Sequence, residues 1–489
     1  MIYINLHEIL LDSDERLEAW LSYDQVIWLA IDFIKRCPCD PRNGLPWYLQ
    51  YSCFWTDPLR PTIWPDNPAG KFAWAVSTLI RYYPYSGDLH MVEIVRTMLD
   101  RLITFHTPNS FDWGNVPYAS AEPGTGVYFG ARADGAFVTE PDKVAQAANA
   151  YLDFYQLTGE EVYFDAALNC ATALRGHMRK GDDSHSPWPF RVDVRNGASK
   201  EEYTSDIIQM VRLFGELVRL GQSQFLDNRD AAWDWILKYP LRSKVWKGYF
   251  EDIRLDPTNQ NRDQLSCLET ARFILQHPEF DPDWKEHVPA MIEWVRETLG
   301  AEPFYSAVPI HEQKFCFHVM GSHTARYASL CAAWAKASGE DEYQERAIRS
   351  FNWATYMANE DGTVNVGIDR PDYYNQCWFT DGYFDYVPHF LDGMAALPAL
   401  APATTDHLLS STSVVQDIQY KPLAVNYRTY DEQANETLLL TFLPIRICSG
   451  GEILPQLQVP GAEPGWLQDT EAGVLRVFHT ANNVEISGK

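Results

Sequence analysis

Between about residue 24 and residue 397, apolar residues recur every three to four positions, which is the spacing of one face of an amphipathic helix. These helical segments come in pairs, and Gly, Pro or Ser lies at each junction, where a helix ends and the chain turns. The pattern predicts five helical hairpins: 71–83 with 88–106, 142–157 with 160–179, 204–220 with 225–239, 262–276 with 281–299, and 322–337 with 341–359.

The junctions inside these hairpins resemble one another. The segment 157–163, Leu-Thr-Gly-Glu-Glu-Val-Tyr, matches the segment 337–343, Ala-Ser-Gly-Glu-Asp-Glu-Tyr. Four of the junctions contain a glycine: Gly87, Gly159, Gly221 and Gly339. These glycines are separated by 72, 62 and 118 residues, and the last interval is about twice the length of the other two. Such spacing indicates a repeat with a period of about sixty residues.

One further helix is predicted at each end of the array, over 24–36 and 376–397. If these two pair, six hairpins close into a ring of twelve helices, which buries the faces that an open array must cap. In this the chain resembles the six-hairpin, (α/α)6-toroid superfamily of glycoside hydrolases, polysaccharide lyases and sugar epimerases. The resemblance covers roughly residues 20–400 and rests on this architecture and on the Tyr-Ser/Thr-Gly-Glu/Asp junctions. It implies an all-α (α/α)6 toroid that acts on carbohydrates.

The pattern changes after Ala401. Residues 401–405 are typical of a linker, and the segments 438–443, 453–459 and 474–478 alternate apolar and polar residues as strands do. The sequence therefore predicts two domains, a catalytic toroid over 1–400 and a small C-terminal β-rich module over 401–489.

The net charge of the chain restricts the classes of binding partner that we expect. The chain has 40 Lys and Arg against 66 Asp and Glu, a formal net charge of −26. Such acidity repels phosphate groups, so nucleic acid and anionic membrane surfaces are not expected partners. Aromatic residues make up 14% of the chain, enough for a large core and for sugar-stacking surfaces as well.

Cysteine spacing and the N-terminal segment indicate the cellular compartment that the sequence predicts. The nine cysteines are scattered apart from Cys37-Pro38-Cys39, which argues against a disulfide framework or a zinc ribbon. The first residues lack a basic stretch followed by an apolar core, and the most apolar stretch, 26–34, is interrupted by Asp32. These features predict a cytoplasmic protein.

The long connections between hairpins are predicted to lie together. Because the short turns all lie at one end, the long connections must lie at the other: 38–70, 107–141, 179–203, 240–261, 300–320 and 360–375. Connections longer than about 12–15 residues are uncommon unless they are functional. These connections also combine aromatic residues, whose faces stack on the CH groups of sugars, with carboxylates, which bind sugar hydroxyl groups. Sugar sites use this mixture, although loops are commonly polar in any case. The sequence therefore predicts an oligosaccharide-binding crater at this end.

Glycoside hydrolysis needs one protonated and one ionised carboxyl group. The segment 378–383, Trp-Phe-Thr-Asp-Gly-Tyr, is the most site-like, because a carboxylate follows an aromatic residue and precedes a Gly. Asp385 lies one helical turn beyond Asp381, where mutual repulsion would raise one pKa. Acids near inner-helix starts, Asp206 and Asp381, would be kept ionised there, or would simply cap the helices. The candidate catalytic carboxylates are Asp381, Glu251, Asp252, Asp206 and Asp134.

Three histidines, His311, His318 and His323, cluster in one connection near Cys316. Three roles remain open for them: metal ligands, proton abstraction from C5 of a uronic acid, or structural polar groups. The segment that begins at His311 is not the zinc-protease motif, because position 315 is Phe. No metal and no cofactor is predicted.

The remaining candidate residues are substrate-binding. Arg191 and Arg370 would bind anionic substituents in bidentate fashion, unless they pair with neighbouring acids instead. His323 is a further sugar contact, and the predicted sugar platform consists of Trp113, Trp188, Tyr374 and Trp378.

The favoured function is a glycoside hydrolase that cleaves oligosaccharides. A lyase or epimerase acting on uronic acids or other sugars is the alternative, with His318 or His323 and Tyr374 transferring the proton. A non-catalytic sugar-binding toroid is the third hypothesis, although binding alone needs fewer carboxylates than this chain offers.

Overall fold

The computed structural model describes residues 3–50, 53–56, 59–62, 66–129, 136–248, 260–368, 376–459 and 463–489. Within these residues, the five predicted hairpins are confirmed, with helix ends shifted by at most four residues. None of the helices described is both long and apolar enough to cross a lipid bilayer. The twelve α-helices are α1 (Tyr23–Lys35), α2 (Pro68–Ser86), α3 (His90–Thr104), α4 (Pro141–Thr158), α5 (Glu161–Gly176), α6 (Ile208–Arg219), α7 (Leu226–Ile236), α8 (Leu265–Gln276), α9 (Trp284–Leu299), α10 (Gly321–Ser338), α11 (Asp341–Thr355) and α12 (Val387–Ala396).

The first helices of the hairpins form a closed inner ring. Each of α2, α4, α6, α8 and α10 contacts the next, and α12 contacts both α10 and α2. The remaining helices pack outside them, and α1 pairs with α12 as the sixth hairpin. Nearly every residue of α4 and α10 is buried, and alanines such as Ala145 and Ala328 let neighbouring helices approach closely.

The short turns depend on glycine. Gly87, Gly159 and Gly339 end α2, α4 and α10 with φ values of 72°, 76° and 78°. This left-handed conformation is costly for residues that carry a Cβ atom, so glycine is the natural choice for the cap. The junction glycines of the repeat therefore mark the real ends of inner helices.

The helix predicted over 376–397 is only partly correct. Its first residues form a strand paired with residues 53–56, and a π-helical turn, Thr380–Phe384, follows. Helix α12 begins at Val387 with Pro388 in its first turn. Proline lacks an amide hydrogen and clashes with the preceding turn, so a helix readily begins here but does not run through.

Within the described residues, the helical part also contains ten short strands. They pair antiparallel as β1–β2, β10–β3–β4, β5–β6–β7 and β8–β9. Their bounds are β1 (Tyr3–Ile4), β2 (His7–Glu8), β3 (Cys53–Thr56), β4 (Leu59–Thr62), β5 (Val138–Thr139), β6 (Arg191–Asp193), β7 (Ser199–Glu201), β8 (Ile310–His311), β9 (Val319–Met320) and β10 (Gln376–Trp378). The long connections are therefore partly ordered by small sheets.

The C-terminal part is β-rich, as predicted. Two antiparallel sheets have the strand orders β11-β14-β18-β17 and β12-β13-β19-β15-β16. Their strands are β11 (His407–Ser411), β12 (Val415–Lys421), β13 (Ala424–Thr429), β14 (Ala434–Leu439), β15 (Pro444–Ser449), β16 (Glu452–Ile453), β17 (Gly465–Asp469), β18 (Val474–His479) and β19 (Asn483–Gly488).

This β-rich part packs against the short-turn end of the ring. The His407 ring stacks on the Tyr85 ring with centroids 3.9 Å apart, and its Nδ1 lies 2.9 Å from the Tyr85 carbonyl oxygen. Gln416 Nε2 donates to the Gln156 carbonyl oxygen at 2.7 Å. Since Tyr85 and Gln156 lie at the carboxyl ends of α2 and α4, the sheets cover the end opposite the long connections.

Candidate active site

Ionisable side chains gather where the inner helices begin, at the end of the ring that carries the long connections. Because neighbouring inner helices contact each other, residues just before or inside their first turns come together. Each of the following is at most 2% exposed: Glu140, Asp142, Lys143, Asp206, Asp263, Gln264, His323, Arg326 and Asp385. We call this set the amino-end cluster.

Asp206 lies in the turn that precedes α6. Its backbone amide donates to Thr204 Oγ1 at 3.1 Å, and Ser205 Oγ both donates to the Lys247 carbonyl oxygen and accepts from the Lys247 amide. These bonds fix the turn. Among the described residues, neither carboxyl oxygen of Asp206 has a hydrogen-bond partner. The carboxyl group is therefore held in place by its backbone alone.

The environment of Asp206 favours its neutral form. Burial, and then repulsion from Asp142, raise its pKa well above the ordinary aspartate value, and Lys143 offsets this only in part. This direction is opposite to the expectation that the start of α6 keeps the carboxyl ionised, and burial is its largest cause. The capping alternative is also wrong, since α6 has no side-chain cap. Burial and the neighbouring Asp142 thus favour the protonated carboxylic acid over the carboxylate at this position.

Asp142 has the opposite surroundings. Lys143 Nζ lies 2.8 Å from Asp142 Oδ2 and 3.9 Å from Glu140 Oε2, and both Asp142 and Lys143 are buried. A buried ammonium at this distance stabilises a carboxylate. The amino-end cluster thus holds a neutral carboxyl group and an ion-paired one on neighbouring helices.

Arg191 of β6 is buried and paired within the protein. Its Nε lies 2.9 Å from Glu140 Oε1, and Nη1 lies 3.1 Å from Glu201 Oε2. Burial nevertheless raises the pKa of Glu140 to about 6, against the lowering effect of Arg191 and Lys143. Of the two roles expected for Arg191, the structure shows the ion pair with neighbouring acids.

Arg326 of α10 is at the centre of a second group. Its guanidinium contacts Asp385, lies 3.6 Å from Glu269 Oε1, and stands over the Trp74 ring at 4.9 Å. His389 Nε2 lies 3.0 Å from Asp385 Oδ1. Burial lowers the pKa of His389 well below the ordinary histidine value, and Arg326 lowers it further. The imidazole is therefore neutral.

The pKa of Asp385 is raised to about 7, but the expected cause is wrong. Burial is the largest cause, Arg326 opposes it, and Glu269 adds repulsion. Asp381, which lies in the π-helical turn before α12, is not among the main causes of this shift. Its Oδ1 instead accepts a hydrogen bond from Ser322 Oγ at 3.3 Å.

The two candidate histidines lie near the start of α10. His323 is buried, and its Nδ1 lies 3.0 Å from Gln264 Nε2. Burial, and then Arg326, lower the pKa of His323 well below its ordinary value. His318 lies on the hairpin before α10, with its Nε2 3.3 Å from Glu312 Oε2. Both histidines are within the ring rather than on an open surface.

Two predicted members of the sugar platform are enclosed. Trp113 is 1% exposed and stacks on His177 with ring centroids 4.2 Å apart. Trp188 is fully buried, and its Nε1 donates to the Leu174 carbonyl oxygen at 2.7 Å. With protein on both ring faces, these tryptophans belong to the core and have no face open to a sugar.

Trp378 differs from them. It is half-buried on β10, and its Nε1 donates to Gln376 Oε1 at 3.1 Å. The other predicted site residues lie outside the described residues: Asp134, Glu251, Asp252, Arg370 and Tyr374.

A cavity of about 520 Å³ lies inside the ring. It is lined by residues of α2, α4, α6, α8 and α12, including Pro388 and His389 in the first turn of α12, and it reaches His277 and Phe280 in the turn after α8. This cavity extends toward the short turns, whereas the sequence predicted a crater at the long connections.

The charged residues that line this cavity are mostly matched. Arg81 and Arg272 both pair with Asp392, at 2.6 Å and 3.2 Å, and Arg212 pairs with Glu269 at 3.2 Å. Asp153 is the exception, and burial together with repulsion from nearby Glu216 raises its pKa to about 7.

Sequence reasoning missed Asp142, Lys143, Asp263 and Arg326. One signal was present for two of them. Lys143 precedes the Val-Ala-Gln-Ala-Ala run of α4, and Arg326 stands between Ala325 and Tyr327 in the alanine-rich α10. A charged residue in an otherwise small and apolar inner helix points into the ring, where it must find a partner.

No protein-family model matches the chain, and no curated protein matches it. Solved structures do match. A D-mannose isomerase matches at a TM-score of 0.57 and 12% identity, covering 77% of this chain and 97% of that chain. A cellobiose 2-epimerase from Spirochaeta thermophila DSM 6192 matches at 0.55 and 12% identity, with 77% and 97% covered.

A family 76 glycoside hydrolase from a bovine Bacteroides thetaiotaomicron strain matches at a TM-score of 0.52 and 10% identity, covering 76% of this chain and 78% of that chain. The likeness to these solved structures agrees with the fold predicted from the hairpin repeat. At such low identity they show the fold, and they single out no family within it.

Proposed function

We propose that this chain is a carbohydrate-active enzyme, and specifically a glycoside hydrolase whose acid and base lie in the amino-end cluster. Asp206 is the proton donor, and Asp142 is the ionised partner. The observation that carries the proposal is the buried carboxyl group of Asp206, which lacks a hydrogen-bond partner among the described residues and lies beside a second carboxylate that has a cation. A pair of carboxyl groups with opposed environments is what glycoside hydrolysis requires.

The proposed chemistry uses the two groups in sequence. Asp206 donates its proton to the glycosidic oxygen as the bond to the anomeric carbon breaks. Asp142 then supplies the electron pair, either directly to the anomeric carbon or by taking a proton from an attacking water. Lys143 stabilises the Asp142 carboxylate between turnovers. Since Asp206 is fully buried, substrate binding must move protein away from its carboxyl group.

Asp381 is the second candidate for the ionised carboxylate. It is half-buried at the start of the segment that leads into α12, and it accepts a hydrogen bond from Ser322 at the beginning of α10. The half-buried Trp378 lies three residues before it. This arrangement supports the role that the segment 378–383 was given from its sequence.

The test is the release of reducing ends from a panel of α- and β-linked neutral and uronate-containing oligosaccharides. Asp206→Asn should lower turnover by about 10²–10⁴-fold, the usual contribution of a general acid. Asp153→Asn is the matched control, because Asp153 is also an inner-ring carboxyl with a raised pKa but lies at the other end of the ring. Equal activity of the two variants, with both folded by circular dichroism, would remove Asp206 from the mechanism.

A sugar epimerase or isomerase is the second candidate, and the neutral His323 favours it. A neutral imidazole next to Gln264 and Arg326 is suited to take a proton from a carbon next to a carbonyl group. Incubation of free sugars in heavy water separates the two functions. An epimerase incorporates deuterium at the altered carbon, as seen by NMR, and His323→Gln abolishes it, whereas a hydrolase releases reducing ends without exchange.

A further inference from the structure

The hairpin formed by β8 and β9 brings together three side chains of metal-ligating type. One ligand atom from each of Glu312, Cys316 and His318 lies within 4.8 Å of those of the other two. Metal ligation was one of the roles left open for the histidines of this segment. The proposed hydrolase uses none of the three residues, so the cluster needs a separate explanation.

The separations suit a small tetrahedral site. His318 Nε2 lies 3.3 Å from Glu312 Oε2 and 4.0 Å from Cys316 Sγ. With Zn²⁺ bonds of about 2.0–2.3 Å, neighbouring ligand atoms in a tetrahedron are about 3.3–3.7 Å apart. The His318–Glu312 separation matches this range. A small rotation of the half-buried Cys316 side chain closes the rest of the distance.

Hydrogen bonds hold the ligand-bearing loop in shape. Gln313 Nε2 donates to Glu312 Oε1 at 3.2 Å, and Asn261 Nδ2 donates to Gln313 Oε1 at 2.7 Å. Asn261 Oδ1 accepts from the Phe315 amide at 3.0 Å. One oxygen of Glu312 is thereby oriented by a polar chain while the other faces His318. Such supporting bonds are typical around metal ligands, where they fix the ligand geometry.

We propose that Glu312, Cys316 and His318 bind one Zn²⁺ ion. The mixture of a thiol, an imidazole and a carboxylate favours zinc over magnesium or calcium, which prefer oxygen ligands alone. Three protein ligands leave a fourth position for water or a substrate oxygen. The site lies on the connection into α10, five residues before His323, and so at the same end of the ring as the amino-end cluster.

Zinc binding can be measured on the full chain without any substrate. The protein is stripped with chelator, dialysed, and titrated with Zn²⁺ against a chromophoric chelator, and the expected result is one ion per chain. Substitution with Co²⁺ should give a thiolate-to-cobalt charge-transfer band in the near ultraviolet, which reports the Cys316 bond directly. Absence of stoichiometric binding would overturn the proposal.

A graded set of variants tests the ligands. Cys316→Ser, His318→Ala and Glu312→Gln should each weaken Zn²⁺ binding by more than about a hundredfold, and Gln313→Leu by about tenfold as a supporting residue. The Cys316→Ser protein should also lose the cobalt band. Cys39→Ser is the matched control, because Cys39 is an exposed cysteine of another connection, and it should bind zinc unchanged.

Circular dichroism of each variant shows whether it is folded. Zinc affinity in folded Cys316→Ser equal to that of the unaltered chain would overturn the assignment, as would a cobalt band that persists in it. Because the readout is metal binding, this result is independent of whether the chain hydrolyses oligosaccharides.

Discussion

Asp206 and Glu269 are both buried carboxyl groups of the inner ring, yet their environments are opposite. Burial raises the pKa of Asp206 well above its ordinary value, and its carboxyl oxygens lack partners among the described residues. Burial also acts on Glu269, but Arg272, Arg212 and Arg326 together hold its pKa below the ordinary glutamate value. Burial therefore favours the protonated form of Asp206, whereas the neighbouring arginines keep Glu269 in its ionised form despite similar burial.

The two positions have different surroundings: Asp206 precedes α6 at the amino ends of the inner helices, whereas Glu269 lies in the second turn of α8 and lines the cavity. At the amino ends of the inner helices, Asp206, Glu140 and Asp385 have raised pKa values, and Glu140 titrates at about 6 and Asp385 at about 7. Around the cavity, arginines and acids pair with each other, with the exception of Asp153, whose pKa is also raised. Perturbed groups are typical of functional sites, whereas matched ion pairs are typical of structural networks. The comparison favours the amino end as the reactive one.

The largest stability effect is expected at Arg326, which contacts both Asp385 and Glu269. Arg326→Ala leaves Asp385 and Glu269 buried without their shared cation, and removing one partner of a buried ion pair costs about 3–5 kcal/mol. The free energy of unfolding in urea measures the loss. Arg229→Ala is the control, since among the described residues Arg229 forms an ion pair with the exposed Asp230 in the next position. Similar losses in both variants would contradict a central role for Arg326.

Asp206→Asn should change how stability depends on pH. An unfolded aspartate releases its proton near pH 4, whereas folded Asp206 keeps its proton to a much higher pH. Between these two pKa values unfolding releases a proton, so the unaltered protein loses stability as pH rises through this window. The asparagine variant lacks this loss. It should therefore be the more stable protein at pH 7, with the difference shrinking toward pH 4.

The measurement is thermal or urea unfolding of both proteins at several pH values between about 4 and 7. A gap that stays constant with pH would mean that folded Asp206 is ionised, in conflict with its proposed role as proton donor.

The smallest effect is expected at the contact between the ring and the β-rich part. Arg219 at the end of α6 pairs with Glu216 and with Asp431, and its side chain is 42% exposed. Exposed ion pairs contribute about 0–1 kcal/mol, so Arg219→Ala should shift the free energy of unfolding by no more than that. A larger loss would show that the short-turn end also holds a critical charge.

Much of the fold followed from the sequence. The apolar spacing and the glycines at 87, 159 and 339 predicted the order of the hairpins, because turn conformation and helix periodicity are local properties. The exception was the segment 376–397. There, Pro388 sets the start of α12, and pairing with a distant strand sets the conformation of the residues before it.

The candidate site followed less well. The sequence singled out Asp206 and His323. It also predicted that Trp113 and Trp188 form part of a sugar platform, but both side chains are buried and have no face open to a sugar. Aromatic residues in long connections serve the core as readily as a binding surface, and composition does not separate the two uses. Arg326 was missed because its partners, Glu269 and Asp385, lie far away in the sequence. Lys143 was missed because its burial depends on the closed ring of helices.

The sequence by itself determined the hairpin repeat, the excess of acidic residues and the change to a β-rich C-terminal part. Each of these can be read from composition or from residues that are close together in the chain. Only the tertiary structure decided which acids are neutral and which are paired. A carboxyl group's charge depends on its burial and on cations brought close by distant segments, as Arg326 is to Asp385. Closing the ring of helices creates those neighbours, and with them the chemistry of the site.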